Sequence, residues 1–305
     1  MKMLLFGANG QVGWRLRHSL AGLGEVIALD RASRPLCGNL LDTEGVAASV
    51  ASVAPDVVVN AAAYVEVDLA EDEPDLAFAV NATACEALAR AAARQGAWLV
   101  HYSTDYVYDG GGDRPWLESD APGPLNIYGR SKLAGDEAIL RETSRHLVLR
   151  TSWVFDSRGR NFAKSILEAA KTRDELTVVA DQWGAPTSAA LIADVTAHAL
   201  RAVAGAGGPE GVAGLYHLAA ARSTDRHGYA RQLLQEAATC GWPLRTTADG
   251  LKAAASTDPP TRATRPKNSR LDTTRLRNTF GLDLPPWQDG VRAVVQALAR
   301  QRAST

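Results

Sequence analysis

No apolar run in this sequence approaches the roughly 18 residues that a membrane-spanning helix requires. The apolar stretch that opens the chain carries one Lys and meets Gly7 too soon to form a secretory signal core, so a cytoplasmic protein is expected. Cysteine is scarce. Cys37, Cys85 and Cys240 are odd in number, widely spaced and outside any metal or redox motif, which suits a reducing compartment. The histidines (His18, His101, His146, His198, His217 and His227) show no ligand spacing and are assigned no chemistry. Excess charge is missing too: 33 basic and 34 acidic residues leave a net charge of −1, so neither nucleic acid nor an anionic membrane surface is indicated. There is no internal repeat, and the one low-complexity stretch, Ala/Gly-rich near 202–214, is expected to be a surface loop. What remains is 305 residues, 46% apolar and 22% charged, enough for one large or two modest globular domains.

Two segments carry chemistry. Ser103-Thr104-Asp105-Tyr106 closes an apolar run, and Tyr128-Gly129-Arg130-Ser131-Lys132 opens a helical one. On a helix, Tyr-x-x-x-Lys puts phenol and ammonium on one face, one turn apart. A tyrosine is a poor acid near neutrality, with an unperturbed pKa of about 10. A neighbouring ammonium should favour the phenolate and lower that value, while a hydroxyl orients a carbonyl between them. Such a trio suits protonation of an alkoxide formed by hydride delivery, which calls for a nicotinamide.

The first thirty residues are suited to hold one. A short strand runs into Gly7-Ala8-Asn9-Gly10-Gln11-Val12-Gly13 and then a helix. Gly7 allows a tight turn, Gly10 a close approach of backbone to phosphate, and Gly13 contact between helix and sheet, with the pyrophosphate at the helix N-terminus. The spacing is G-x-x-G-x-x-G rather than G-x-G-x-x-G. A second strand, Glu25 to Leu29, leads into Asp30, placed to accept from the adenosine ribose hydroxyls. Arg31 follows and is able to pair with a 2′-phosphate, so NADH and NADPH both stay open.

Apolar runs at 2–7, 25–30, 56–60, 97–103 and 146–151 read as strands, with helices near 11–21, 43–54, 74–95 and 127–143. Continuous rather than alternating apolar strands imply a parallel sheet covered on both faces, hence an α/β, Rossmann-like doubly wound fold. Beyond 150 the pattern loosens. It reads as a helix at 161–173, a strand at 176–181, helices at 188–204, 225–240 and 287–302, a strand at 214–219, and a Pro-, Thr- and Arg-rich loop at 256–270. The expected division is a dinucleotide-binding domain of residues 1–150 with a return segment near 176–200, and a smaller C-terminal substrate-binding lobe of 151–175 and 201–305.

The chain resembles the extended short-chain dehydrogenase/reductases, and within them the dTDP-4-dehydrorhamnose reductase family. Further blocks carry the resemblance along nearly the whole length: Val59-Asn60-Ala61-Ala62-Ala63-Tyr64, Arg150-Thr151-Ser152-Trp153-Val154, Asp181-Gln182-Trp183-Gly184-Ala185-Pro186-Thr187 and Arg265-Pro266-Lys267-Asn268-Ser269-Arg270-Leu271. The resemblance implies reduction of a 4-keto group on a dTDP-linked 6-deoxyhexose in nucleotide-sugar biosynthesis. It implies Tyr128 as proton donor, Lys132 as its pKa modulator and ribose ligand, and Thr104 as carbonyl partner. Gly10, Gln11 and Val12 would meet the pyrophosphate on the cofactor loop that Gly7 turns, Asp30 the ribose, and Asn39 and Leu40 would flank the adenine. Ala62, Ala63 and Tyr64 would lie beneath the cofactor, with Tyr102 nearby. Thr104, Asp105 and Trp153 would contact the sugar; Arg265 and Arg270 are candidates for the diphosphate because guanidinium binds phosphate bidentately. Arg150 reads as a structural ion-pair partner.

Sugar-nucleotide dehydratases of this superfamily carry Thr-Asp-Glu where this chain has Thr104-Asp105-Tyr106, so the elimination pair is incomplete and simple reduction is favoured. Action on another nucleotide-linked keto sugar stays open, as does a cofactor-sensing regulatory subunit; the intact Thr104, Tyr128 and Lys132 argue against the latter. Some family members dimerise around a magnesium ion held by glutamates, and the matching positions here are Arg15, Ala190 and Arg292. Cations do not ligate a metal, so the expectation is no structural metal and a monomer or metal-independent homodimer.

Overall fold

Six short apolar runs pair in parallel into one sheet, and their side-chain parity decides what covers each face. The computed structural model describes residues 1–205, 211–256 and 261–303. In chain order the strands are β1 (Lys2–Phe6), β2 (Glu25–Leu29), β3 (Val57–Asn60), β4 (Trp98–Thr104), β5 (His146–Thr151), β6 (Val154–Phe155), β7 (Leu176–Val179), β8 (Trp183–Gly184), β9 (Thr187–Ser188), β10 (Gly214–His217), β11 (Thr224–Asp225) and β12 (Leu251–Ala254). The helices are α1 (Gln11–Ser19), α2 (Thr43–Val53), α3 (Val67–Ala70), α4 (Pro74–Phe78), α5 (Ala84–Gln95), α6 (Ile127–Glu142), α7 (Phe162–Thr172), α8 (Ala189–Gly205), α9 (Arg226–Thr239), α10 (Thr274–Phe280) and α11 (Trp287–Ala303).

The main sheet has the order β10-β5-β4-β3-β1-β2, every pairing parallel. Successive strand residues point to opposite faces. Met3, Leu5, Val57, Val59, Val100 and Leu147 pack with Leu16 of α1 and Ile192 and Leu200 of α8. Their neighbours Leu4, Phe6, Val58, Leu99 and Val148 pack with Val46 of α2, Leu88 of α5 and Ile139 of α6. Each such side chain contributes about 1.5–3 kcal/mol on full burial. A doubly covered parallel sheet follows, as expected. Because β1 lies between β2 and β3, the chain turns in opposite directions around it, and the crevice opens beside the Gly7 loop.

Two strands sit elsewhere than expected. β7 pairs with β12 outside the main sheet, in register Leu176↔Leu251, whereas β10 joins β5 in it, Tyr216↔Leu149. The burial pattern gives the reason: Leu176 and Val178 are buried while Thr177 is exposed, a strand with one dry face. Tyr216 is buried among the residues facing α8. Helix α8 packs on the sheet through Ile192 and Leu200. The second core gathers Phe155, Leu167, Tyr229, Leu233, Trp242, Trp287 and Val291 from α7, α9, α11 and the segments around them. The segment read as one helix over 74–95 is interrupted by a π-helical turn at Ala79–Thr83. Of the low-complexity stretch, 206–210 lies outside the described residues and 202–205 continues α8; of the loop at 256–270, 257–260 lies outside them.

Candidate active site

The glycine loop closes on backbone, which is why side chains are excluded there. Gly7 has φ +82°, and a Cβ on it would lie 2.6 Å from the Ala62 nitrogen. A Cβ on Gly13 would lie 2.0 Å from the Gly7 carbonyl oxygen, so α1 packs against the loop at its closest. Gly10 is the N-cap of α1 with no side chain to cap it, leaving the first N–H groups of the helix, those of Gln11 and Val12 among them, for an anion. The Gln11 amide oxygen accepts from Asn161 Nδ2 at 2.8 Å, a bond that crosses to the second lobe. Asp30 stands at the end of β2 facing this loop. It accepts from Asn9 Nδ2 at 2.5 Å and from the Ala32 N–H at 2.8 Å, and that backbone bond leads the interactions holding its carboxyl below the usual range. Arg31 beside it is exposed. Leu40 is buried against Val46, and Asn39 Oδ1 caps the Leu41 N–H at 3.3 Å.

The floor is the segment Ala61–Tyr64 after β3. Asn81, from the π-turn, locks it: its Oδ1 accepts from the Tyr64 N–H (2.9 Å), and its Nδ2 donates to the Tyr64 carbonyl (3.0 Å) and to Ser131 Oγ on α6 (3.0 Å). A π-turn widens the helix by one residue and turns Asn81 inward, a common device at functional sites. The Tyr64 phenol donates to Glu73 at 2.9 Å, and burial together with that carboxylate pushes it up to about 12.

Thr104 ends β4 and Tyr128 sits in the first turn of α6. Asn126 caps that helix by accepting from the Gly129 N–H at 2.8 Å. The Thr104 hydroxyl donates to Asp105 at 3.1 Å, accepts from the Tyr106 N–H at 3.2 Å, and lies against the Tyr128 phenol. The Tyr128 ring meets Tyr106 edge-on at 5.7 Å. Lys132, one turn on, is buried; its ammonium donates to the Tyr102 carbonyl at 2.7 Å and lies 3.0 Å from His101 Nε2. One expectation fails here: burial, with Asp105 adding to it, raises the Tyr128 pKa rather than lowering it, and the Lys132 ammonium is turned to β4. Burial likewise lowers Lys132. The free chain therefore keeps Tyr128 as a phenol, the form needed to donate.

Strand parity explains two further differences. Leu99, His101 and Ser103 face α5 and α6, whereas Tyr102 faces α8, where its phenol meets Thr196 at 2.8 Å in the core. Tyr102 thus reaches the site through its carbonyl, not its ring. His101, given no chemistry from sequence, backs Lys132, and its place on the face of Leu99 was the available signal. Burial and Lys132 hold its pKa well below the ordinary value. Deeper on α6, Asp136 pairs with Arg150 at 3.0 Å and accepts from Ser103 Oγ at 2.8 Å. Arg150 is the structural partner expected, and breaking such a buried pair costs about 3–5 kcal/mol.

The opposite wall comes from the second lobe. Asp105 is buried, its Oδ2 finds no well-aligned donor, and burial pushes it up to about 6, against the opposing pull of the Ser269 and Thr104 hydroxyls and Arg226. Trp153 has φ +48°, strained for a bulky residue, and its indole rests on Gly184, where a Cβ would lie 2.7 Å from Cε2. Arg226, which sequence gave no reason to select, stacks over that indole at 3.8 Å. Residues 261–271 cross the cleft: Asn126 Nδ2 donates to the Thr264 carbonyl (2.8 Å) and Trp116 Nε1 to the Asn268 carbonyl (3.0 Å). Arg265 is held by Asp68 through two bonds of 3.0 and 2.6 Å, and Arg270 Nε donates to Asn268 Oδ1 at 2.8 Å. Of the positions matched to magnesium glutamates, Arg15 donates to Asp156 at 2.5 and 2.9 Å, Arg292 meets Asp289 at 3.1 Å, and Ala190 lies in the first turn of α8 beside Trp14 and Asp194.

The family profile described as the RmlD substrate binding domain matches residues 1–300. The chain is 51% identical over 298 residues to a dTDP-4-dehydrorhamnose reductase of Shigella flexneri, covering 98% of each chain. It superimposes on a crystal structure of a dTDP-4-dehydrorhamnose reductase from Clostridium acetobutylicum with TM-score 0.87 and 31% identity, over 98% of this chain and 99% of that one. It also superimposes on the Bacillus anthracis dTDP-4-dehydrorhamnose reductase in complex with NADP, TM-score 0.85, 29% identity, over 97% of this chain and all of that one, 100%.

Proposed function

Because the chain belongs to the RmlD substrate binding domain family, we propose that it reduces dTDP-4-dehydro-L-rhamnose (dTDP-6-deoxy-L-lyxo-4-hexulose) to dTDP-L-rhamnose with NADPH or NADH. The observation that carries this reading is the convergence of Thr104, a protonated Tyr128 and Lys132 at the end of β4. The dinucleotide fits: Gly7 and Gly13 let the loop pack tightly against α1 and the floor segment, the uncapped N-terminus of α1 at Gly10 leaves backbone N–H groups for a pyrophosphate, and Asp30 stands beside it. When bound, the nicotinamide supplies a hydride to the sugar C4. Thr104 holds the carbonyl oxygen, and Tyr128 donates its phenolic proton to that oxygen as the alkoxide develops. Lys132, its ammonium held by the Tyr102 carbonyl and beside His101, serves as the ribose ligand. Asp105 and Trp153 hold the deoxyhexose ring. General acid catalysis of this kind contributes about 10²–10⁴-fold.

Cys37, Cys85 and Cys240 are free thiols, which supports a biosynthetic enzyme of a reducing cytoplasm; no helix among the described residues is long and apolar enough to cross a membrane. With Arg15 and Arg292 committed to carboxylates, the assembly in this reading is a monomer or metal-independent homodimer. Metal-dependent dimerisation in light scattering, reversed by chelator, would contradict that. The activity is tested by following NADPH and NADH oxidation with the enzymatically prepared 4-keto sugar nucleotide. Turnover supports the reading; tight cofactor binding without turnover points to a different keto sugar.

A further inference from the structure

We propose that Arg226 is the guanidinium that takes the diphosphate of the nucleotide sugar, at the sugar end of the cleft, with Arg265 beside it. This rests on the function proposed above. Among the described residues the Arg226 guanidinium makes no hydrogen bond and no ion pair; its contacts are the faces of Trp153 at 3.8 Å and Phe162 at 5.0 Å. The other arginines of this wall are engaged, Arg265 by both oxygens of Asp68 and Arg270 through Nε by Asn268. Burial weighs against the Arg226 charge; Tyr106 and Asp105 favour it, and Arg265 lies near enough to repel it. A half-buried cation near a second cation, with no anion bonded to it, is unfavourable unless a ligand brings negative charge. The substrate carries that charge in its diphosphate, and a guanidinium stacked on an indole is oriented to meet two phosphate oxygens. The cofactor pyrophosphate does not compete, since its cradle is the start of α1, while Arg226 neighbours Asp105, Tyr106 and Trp153. The aromatic faces also explain how the side chain is held in place before any anion arrives.

Thymidine diphosphate and thymidine, titrated calorimetrically into the wild-type enzyme and the Arg226→Met and Arg226→Lys variants, separate the possibilities without needing turnover. Methionine keeps the apolar stem; lysine keeps the charge but loses the fork. The expected result is thymidine diphosphate affinity weakened about 10- to 100-fold in Arg226→Met and less in Arg226→Lys, with thymidine affinity unchanged. In the steady state, KM for the sugar nucleotide should rise in parallel while kcat and KM for NADPH hold. Equal thymidine diphosphate affinity in wild type and a folded variant would overturn the assignment of Arg226 alone. Equal losses for both ligands would also overturn it, marking a packing role. If Arg226→Met does not fold, Arg226→Lys decides by the same comparison. A wild-type enzyme that binds no thymidine diphosphate would overturn the substrate reading itself.

Discussion

The two walls of the cleft are built by different means. On the cofactor wall the glycine loop is held by backbone against backbone: Gly10 N–H to the Gly7 carbonyl at 3.0 Å, and Gly7 and Ala8 N–H to the Leu29 carbonyl at 3.0 Å. On the sugar wall the contacts are side chains meeting across long stretches of chain, such as Arg265 with Asp68, 197 residues apart, and Asn268 with Arg114, 154 apart. A wall made of backbone admits few residue types and is preformed. The other is made of stacked rings and sparsely partnered polar groups, Trp153, Arg226 and Asp105, which the ligand completes in the function proposed above.

The largest effect is expected at Tyr128, where the two walls meet. Tyr128→Phe is expected to lower kcat by about 10²–10⁴-fold with nearly unchanged NADPH affinity, since it removes the proton and little else. Fluorescence titration with NADPH beside steady-state rates checks both halves. Next in size is Gly13→Ala. Its Cβ meets the Gly7 carbonyl, which is backbone and yields little, so a stability loss of about 1–3 kcal/mol and weaker NADPH binding are expected in denaturant and cofactor titrations.

A smaller, pH-dependent effect belongs to the sugar wall. Asp105 titrates at about 6, above the ordinary 3.8 of an unfolded chain. Its neutral form is favoured by folding, so its contribution to stability is greatest below the unfolded value and is lost as pH rises through about 6. KM for the sugar nucleotide should therefore show an inflection near pH 6 that KM for NADPH lacks, and Asp105→Asn should remove it. Smallest is Asp30→Asn, for which the ratio of kcat/KM with NADPH to that with NADH should rise by about 10-fold as one carboxylate leaves the ribose site. An unchanged ratio would take Asp30 out of cofactor choice.

The same division governs what was legible in the sequence. Val57–Val59, the glycines and Tyr-x-x-x-Lys act through local periodicity and turn geometry, so the sheet and the placing of Thr104, Tyr128 and Lys132 could be read directly. Asn81 could not, because a π-turn leaves no mark in a helical pattern. Nor could the partners of Arg265, or the exchange of places between β7 and β10, which long-range pairing decides. The raised Tyr128 pKa escaped for a related reason: spacing gives the proximity of a lysine but not the direction of its ammonium or the degree of burial.

The measurement that bears most directly on the account uses NADPH deuterated at nicotinamide C4 with dTDP-4-dehydro-L-rhamnose, the product read by NMR. Wild-type enzyme is predicted to give dTDP-L-rhamnose with deuterium at sugar C4, and Tyr128→Phe almost none. Deuterium elsewhere, a product other than the L-rhamnosyl nucleotide, or undiminished labelling by Tyr128→Phe would contradict it.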